Sequence, residues 1–160
     1  MRHRVEIMDA ELKSLVTGGN AKWRRESPAN EASVLDLAQN GRFKLPCEYL
    51  DFLRLSDGGS GSLAVSPFWF QIWSAADVLK LNKGYGRDEF YPELFLFGSS
   101  GGGSLIAFEL RDQHPWPIVS MDWYDSKREC VDKLAPDFLS FVRLLGTGKD
   151  DDDGEDVWLK

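Results

Sequence analysis

The chain is poor in the residues that build metal and redox sites, with two cysteines and two histidines in 160 residues. Cys47 and Cys130 form no CxxC pair or other framework. They read as free thiols of a reducing compartment, which places the protein in the cytoplasm. The histidines are as scattered as the cysteines, so no ligand cluster of zinc-type spacing exists and neither a metal nor a cofactor is expected. No apolar run approaches the ~20 residues that a membrane helix needs, so no membrane-spanning helix is expected. The opening residues, MRHRVEIMDAELK, meet acids before any continuous apolar segment and do not read as a signal peptide.

Positive charge is also scarce: the formal net charge is −7. It is unevenly spread, with six basic and three acidic side chains in residues 1–25, and six acids without a base in residues 150–156. Direct nucleic-acid binding is disfavoured, because phosphate neutralisation needs a basic surface. A basic protein partner fits better, since opposite charge speeds encounter.

Glycine and aromatic residues are plentiful, at 15 glycines and 20 aromatic side chains (six Trp, four Tyr, ten Phe). Both meet in Phe95–Leu110, where two apolar runs flank a glycine-serine loop and read as a β-hairpin. Upstream, Val5, Met8, Leu12 and Leu15 fall at helical spacing up to Gly18-Gly19. Ser27-Pro28 reads as the cap and first residue of a second helix, with Ala32, Leu35 and Ala38 on one face. Leu45-Pro46 opens a third helix with Tyr49, Leu50 and Leu53 on its apolar face and Phe52 to one side. Asp57-Gly58-Gly59 closes it, and a loop continues through Gly61 and Ser62. Phe68–Trp73 is β-prone, and alternation puts Phe68, Phe70 and Ile72 on one side, Trp69, Gln71 and Trp73 on the other. Ser74 caps a further helix, Tyr85–Pro92 is a polar connector, and Ile118–Trp123 is another strand. Pro136 begins a last helix carrying Phe138, Phe141, Val142 and Leu145. The whole reads as one α+β domain: a small antiparallel sheet, with some parallel pairing left open, packed against several helices. Residues 1–26 form an N-terminal helix and connector, 27–146 the body, and 147–160 an acidic tail.

The glycine loop brushes against catalytic motifs without satisfying them. Gly98-Ser99-Ser100-Gly101-Gly102 has the letters of G-x-S-x-G, but a nucleophile elbow needs a helix after the serine and a strand follows. The only downstream histidine, His114, sits in a proline turn, poorly placed to serve Ser100. A phosphate loop fails because Ser104 stands where lysine belongs. In the tail, Asp151, Asp153 and Gly154 mimic part of a calcium loop, but Lys149 and Lys160 occupy positions that require oxygen ligands. No catalytic residue is assigned.

Three ordered pieces carry a resemblance. They are Leu45-Pro46-x-x-Tyr49 with Phe52-Leu53 and Asp57-Gly58-Gly59, then Phe97-Gly98 with Gly101-Gly102-Gly103 and Ala107-Phe108-Glu109, then a late helix with Phe138 and Phe141. Together they resemble the SUKH superfamily of cell-wall synthesis regulators and bacterial immunity proteins, over residues 27–146. The resemblance implies a non-enzymatic binding domain, in bacteria an immunity protein that neutralises a cognate toxin such as a nuclease. Its runner-up is a regulatory scaffold binding endogenous proteins, and a small serine hydrolase using Ser100 is a third reading. Asp57 and Glu109 stand where asparagine and aspartate are common in that family. The motif residues are expected to be structural: the glycines for backbone shape, Tyr49, Phe52 and Leu53 for the core. Chemistry alone nominates Trp69, Trp73, Trp123 and Tyr124, with Glu109, Asp112, Asp122 and Asp125, as contacts to a basic toxin domain. A monomer or weak homodimer is expected.

Overall fold

A computed structural model describes residues 9–19, 22–111, 113–123 and 131–148. The expectations that rest on Val5, Met8, Asp112, Tyr124, Asp125, Cys130 and the acidic tail beyond Gly148 lie outside the described residues. Within them the chain forms six helices and seven strands. In order these are α1 (Ala10–Thr17), β1 (Arg24–Arg25), α2 (Glu31–Asn40), α3 (Cys47–Leu55), β2 (Gly59–Ser62), β3 (Trp69–Ile72) and α4 (Val78–Gly84). Then come α5 (Arg87–Phe90), β4 (Leu94–Ser99), β5 (Ser104–Glu109), β6 (Ile118–Asp122), β7 (Asp132–Ala135) and α6 (Phe138–Leu144). The strands make a single sheet in sequence order, β1 to β7, and all six pairings are antiparallel. The α+β class holds, and no parallel pairing occurs among the described strands.

Helix α3 is the centre of the core. Its apolar spacing turns Tyr49, Phe52 and Leu53 inward, each 0% exposed, while Leu50 is half-buried. Tyr49 meets Phe97, Phe108 and Phe138 at ring-centroid distances of 5.5, 5.3 and 5.5 Å. Phe97 in turn lies against Phe108 and Phe141, so β4, β5, α3 and α6 converge on one aromatic cluster. Such edge-to-face pairs add roughly 0.5–1.5 kcal/mol each beyond burial. Asp137 caps α6 by accepting from the Ser140 amide at 2.8 Å, so the helix begins at Phe138, two residues later than the Pro136 start expected from sequence.

Several local expectations are corrected. Helix α2 is capped by Asn30, whose side chain accepts from the Ser33 amide at 2.7 Å, and not by Ser27. Its inner face is Val34 and Leu37, whereas Ala32, Leu35 and Ala38 are exposed. Both stripes fit a helical period, and packing against α3 selects the β-branched and larger pair. The segment expected as loop at Gly59–Ser62 is strand β2. Its small residues admit the Trp23 ring: a Cβ at Gly61 would stand 2.6 Å from Trp23 Cβ, and one at Gly59 2.6 Å from the indole. Trp23 then stacks on Phe52 at 5.7 Å. The short strands β1 and β7 and helix α5, none evident from sequence, complete the edges.

Between β3 and β4 the sheet is held by side chains instead of a full ladder. Gln71–Ser99 and Ile72–Gly98 pair directly, and the Trp73 amide donates to the Phe97 carbonyl at 3.0 Å. Further along, buried Asn82 of α4 bonds both the amide and the carbonyl of Leu96, at 2.9 and 2.8 Å. Buried Arg87 of α5 donates to the carbonyls of Leu94 and Pro92, at 2.6 and 2.8 Å, and also contacts Asp88. The supposed connector Tyr85–Pro92 therefore supplies the cap of the β4 edge, meeting backbone polar groups that could not be left unpaired.

Candidate interaction surface

The hairpin between β4 and β5 organises the outward face of the sheet. Its loop, residues 100–103, is closed by the Ser100 hydroxyl, which accepts from the amides of Gly102, Gly103 and Ser104 at 3.1, 3.4 and 3.2 Å. Gly101 has φ +79°, a left-handed conformation that suits glycine, whereas Gly102 neither has positive φ nor crowds a neighbour closer than 3.6 Å. Ser100 is thus a turn residue, and the loop it opens leads into strand β5, not into a helix. His114 lies beyond the opposite end of β5, about 17 Å away by strand rise. There it stacks on Trp116 at 4.2 Å and lines a cavity with Pro46 and Phe138. The serine-hydrolase arrangement has no geometric support.

Two exposed tryptophans flank this loop. Trp69, 44% exposed, runs beside Gly101: a Cβ there would sit 3.8 Å from its ring. Trp123, also 44% exposed, donates its amide to the Gly103 carbonyl at 2.9 Å. Asp122 joins them, accepting from the Ser104 hydroxyl at 3.2 Å. Trp73 is different. It is 8% exposed because Tyr85 stacks parallel on it at 5.9 Å, and Tyr85 meets the edge of Trp123 at 6.0 Å. Strand alternation alone could not show that cover, since Tyr85 arrives from the next helix. Glu109 stands apart from Asp122, at the far end of β5, opposite Leu94, with Arg111 at 3.4 Å. The nominated residues therefore divide. Trp69, Asp122 and Trp123 share one end of the sheet with Trp73 beneath, Glu109 occupies the other, and Asp112, Tyr124 and Asp125 are not described.

The same face holds residues that sequence reading did not nominate. Gln71 connects Trp69 to a cleft of about 580 Å³ bounded by Glu26, Asp57, Trp73 and Asp77. All of the ionisable groups lining it are acids. Asp57 is fixed by the Ala75 amide at 2.7 Å, Glu26 lies 3.8 Å from Arg24, and Asp77 3.4 Å from Lys80. At the other end, the turn between β2 and β3 leaves Val65 and Phe68 exposed, 40% and 62%. Phe68 was expected inward by alternation. Its φ of +70° instead breaks the strand pattern and turns the ring to solvent, a costly conformation for a bulky residue. No group of acids, histidines and cysteines arranged to hold a metal occurs among the described residues.

The SMI1 / KNR4 family (SUKH-1) model matches residues 28–144, well over half the chain. The chain belongs to the SMI1 / KNR4 family (SUKH-1). Among curated proteins none matches it significantly. The match spans α2 through α6, so the aromatic cluster around Tyr49 and the β4–β5 hairpin lie inside the family domain, while α1 and β1 precede it. No helix among the described residues is long and apolar enough to cross a membrane.

Proposed function

We propose that this SUKH-1 protein is a cytoplasmic, non-enzymatic immunity protein that binds a basic toxin domain and masks it. One observation carries the reading: exposed Trp69 and Trp123 flank the hairpin loop on the face that leads into the acid-lined cleft. Aromatic rings give contact area at small entropic cost, and carboxylates complement a substrate cleft built to hold an anion. Contiguous apolar exposure of this kind marks interaction sites on soluble domains. Trp69, Asp122 and Trp123 are the assigned contacts, with Gln71, Asp57 and Glu26 along the cleft.

Co-expression with the product of the adjacent gene tests it. The expected result is that the neighbour is toxic alone, harmless beside this protein, and recovered as a complex that Trp69→Ala weakens. A neighbour that is harmless alone and does not bind removes the immunity reading. If it lies in a housekeeping operon and binds nonetheless, the regulatory-scaffold role takes its place.

A further inference from the structure

Gly148, the last described residue, lies beside the most exposed apolar patch among the described residues. Gly148 donates its amide to Ser62 Oγ at 3.1 Å, and the Ala64 amide donates to Thr147 Oγ1 at 3.2 Å. Ser62 is the direct cross-strand partner of Trp69. Partners in an antiparallel pair project to one face with Cβ atoms about 4.5–5.5 Å apart. The exit point and Trp69 therefore share a face, one strand apart. Phe68 is as close, since its carbonyl accepts from the Leu63 amide at 3.0 Å, and the Phe68 amide donates to the Val65 carbonyl at 2.7 Å.

Beyond Gly148 the sequence runs Lys149, then Asp150 to Asp156 with six acids, then Val157-Trp158-Leu159. Those three residues are the only apolar ones after Gly148. We propose that Val157-Trp158-Leu159 docks on the patch formed by Val65, Phe68 and Trp69, with the acidic run as its tether. The tether has eight residues, and a flexible chain of that length spans about 16 Å on average. A target one or two strand spacings away, about 5–10 Å, lies within that reach without strain. A tether this short sets an effective concentration in the millimolar range, so an apolar contact too weak to matter between separate molecules is occupied within one. The strained φ of Phe68 then holds an anchor ring in place for the tripeptide. This proposal needs no partner and stands apart from the immunity reading. It adds that the tail and a partner compete for Trp69.

The test uses the full chain, isotopically labelled, and a full-length variant carrying Val157→Ser, Trp158→Ser and Leu159→Ser. Amide and indole signals of Val65, Phe68 and Trp69 are expected to shift in the variant, and their hydrogen exchange to quicken severalfold, while the aromatic core stays unchanged. Reciprocally, Phe68→Ser with Trp69→Ser in the full chain is expected to move the Trp158 indole signal to its solvent-exposed position. Val65, Phe68 and Trp69 signals identical in the wild type and the triple-serine variant would overturn the proposal. So would a Trp158 signal that ignores the Phe68 and Trp69 substitutions, which would put the tripeptide elsewhere. Shifts that grow with protein concentration would make the occupied patch that of a second copy, and would overturn the intramolecular contact.

Discussion

Replacing Tyr49 with phenylalanine removes one oxygen from the middle of the core and leaves the ring where it is. Tyr49 is 0% exposed, and its hydroxyl has no hydrogen-bond partner among the described residues. The ring is clamped by Phe97, Phe108 and Phe138, all within 5.5 Å between centroids, so it cannot turn to reach one. An unsatisfied buried hydroxyl costs on the order of 1–3 kcal/mol, offset in part by the dispersion contacts its oxygen makes. Tyr49→Phe should therefore stabilise the protein, by about 1 kcal/mol, or about 2–4 °C in Tm for a domain of this size. Urea unfolding at pH 7 measures the first figure and a thermal scan the second.

Alkaline titration gives the same argument a second reading. Burial, and after it the negative charge of Asp57, push the Tyr49 phenol above its ordinary value of 10.0. Below pH 10 the phenol is protonated in both states and contributes nothing to the pH dependence. Above it, the unfolded chain releases the proton and the folded one keeps it, so stability falls as pH rises, by up to about 1.4 kcal/mol per pH unit. That component should be absent in Tyr49→Phe, whose stabilisation relative to wild type should widen from pH 9.5 to 11. A loss of more than about 1 kcal/mol at pH 7 would refute the reasoning, because a good hydrogen bond would have been cut.

Five further substitutions test separate parts of the fold and surface. Gly58→Ala should cost about 2–4 kcal/mol in urea unfolding, because φ is +102° and the new Cβ would stand 2.4 Å from the Ile72 carbonyl oxygen. Asn82→Ala strips the Leu96 amide and carbonyl of their partner and should cost about 2–4 kcal/mol; a cost under 1 would show that water replaces it. Trp69→Ala and Trp123→Ala should each change stability by less than about 1 kcal/mol yet weaken partner binding at least about tenfold, as anchor residues do. Trp73→Ala should do the reverse, losing about 3 kcal/mol of stability through its stack with Tyr85.

What the sequence made legible was local and apolar. Helix α3 reads from Pro46 and the spacing of Tyr49, Phe52 and Leu53, and the β4–β5 hairpin from two apolar runs around a glycine loop. Strand β2 did not read, because Gly59-Ser60-Gly61-Ser62 has little strand propensity. It is a strand because β1 and β3 pair with its two edges and Trp23 needs its bare backbone. The surface was half legible for the same reason. Trp69 opens β3 and Trp73 directly follows it, four residues on and on the same side by alternation, and only the arrival of Tyr85 makes one exposed and the other buried. Glu109 and Asp122 are nominated together from sequence, but register sets Asp122 opposite Ser104 and Glu109 opposite Leu94, at the two ends of β5.

The residues that carry the family likeness and those that face outward are nearly disjoint sets, and that division has a physical cause. Tyr49, Phe52, Leu53, Phe108, Phe138 and Phe141 are at most 2% exposed and touch one another, so a change in any one is felt by the rest. Trp69, Phe68 and Trp123 have open solvent on one side, and their replacement disturbs few packed atoms. Packing therefore leaves little room for change in the first group and far more in the second. A scaffold divided in this way can exchange one partner for another by altering its outer face. Family membership therefore specifies the core of this protein far more than its partner. On the reading proposed above, the partner is to be sought through the exposed aromatics and the acid-lined cleft, the part of the molecule that the motif does not describe.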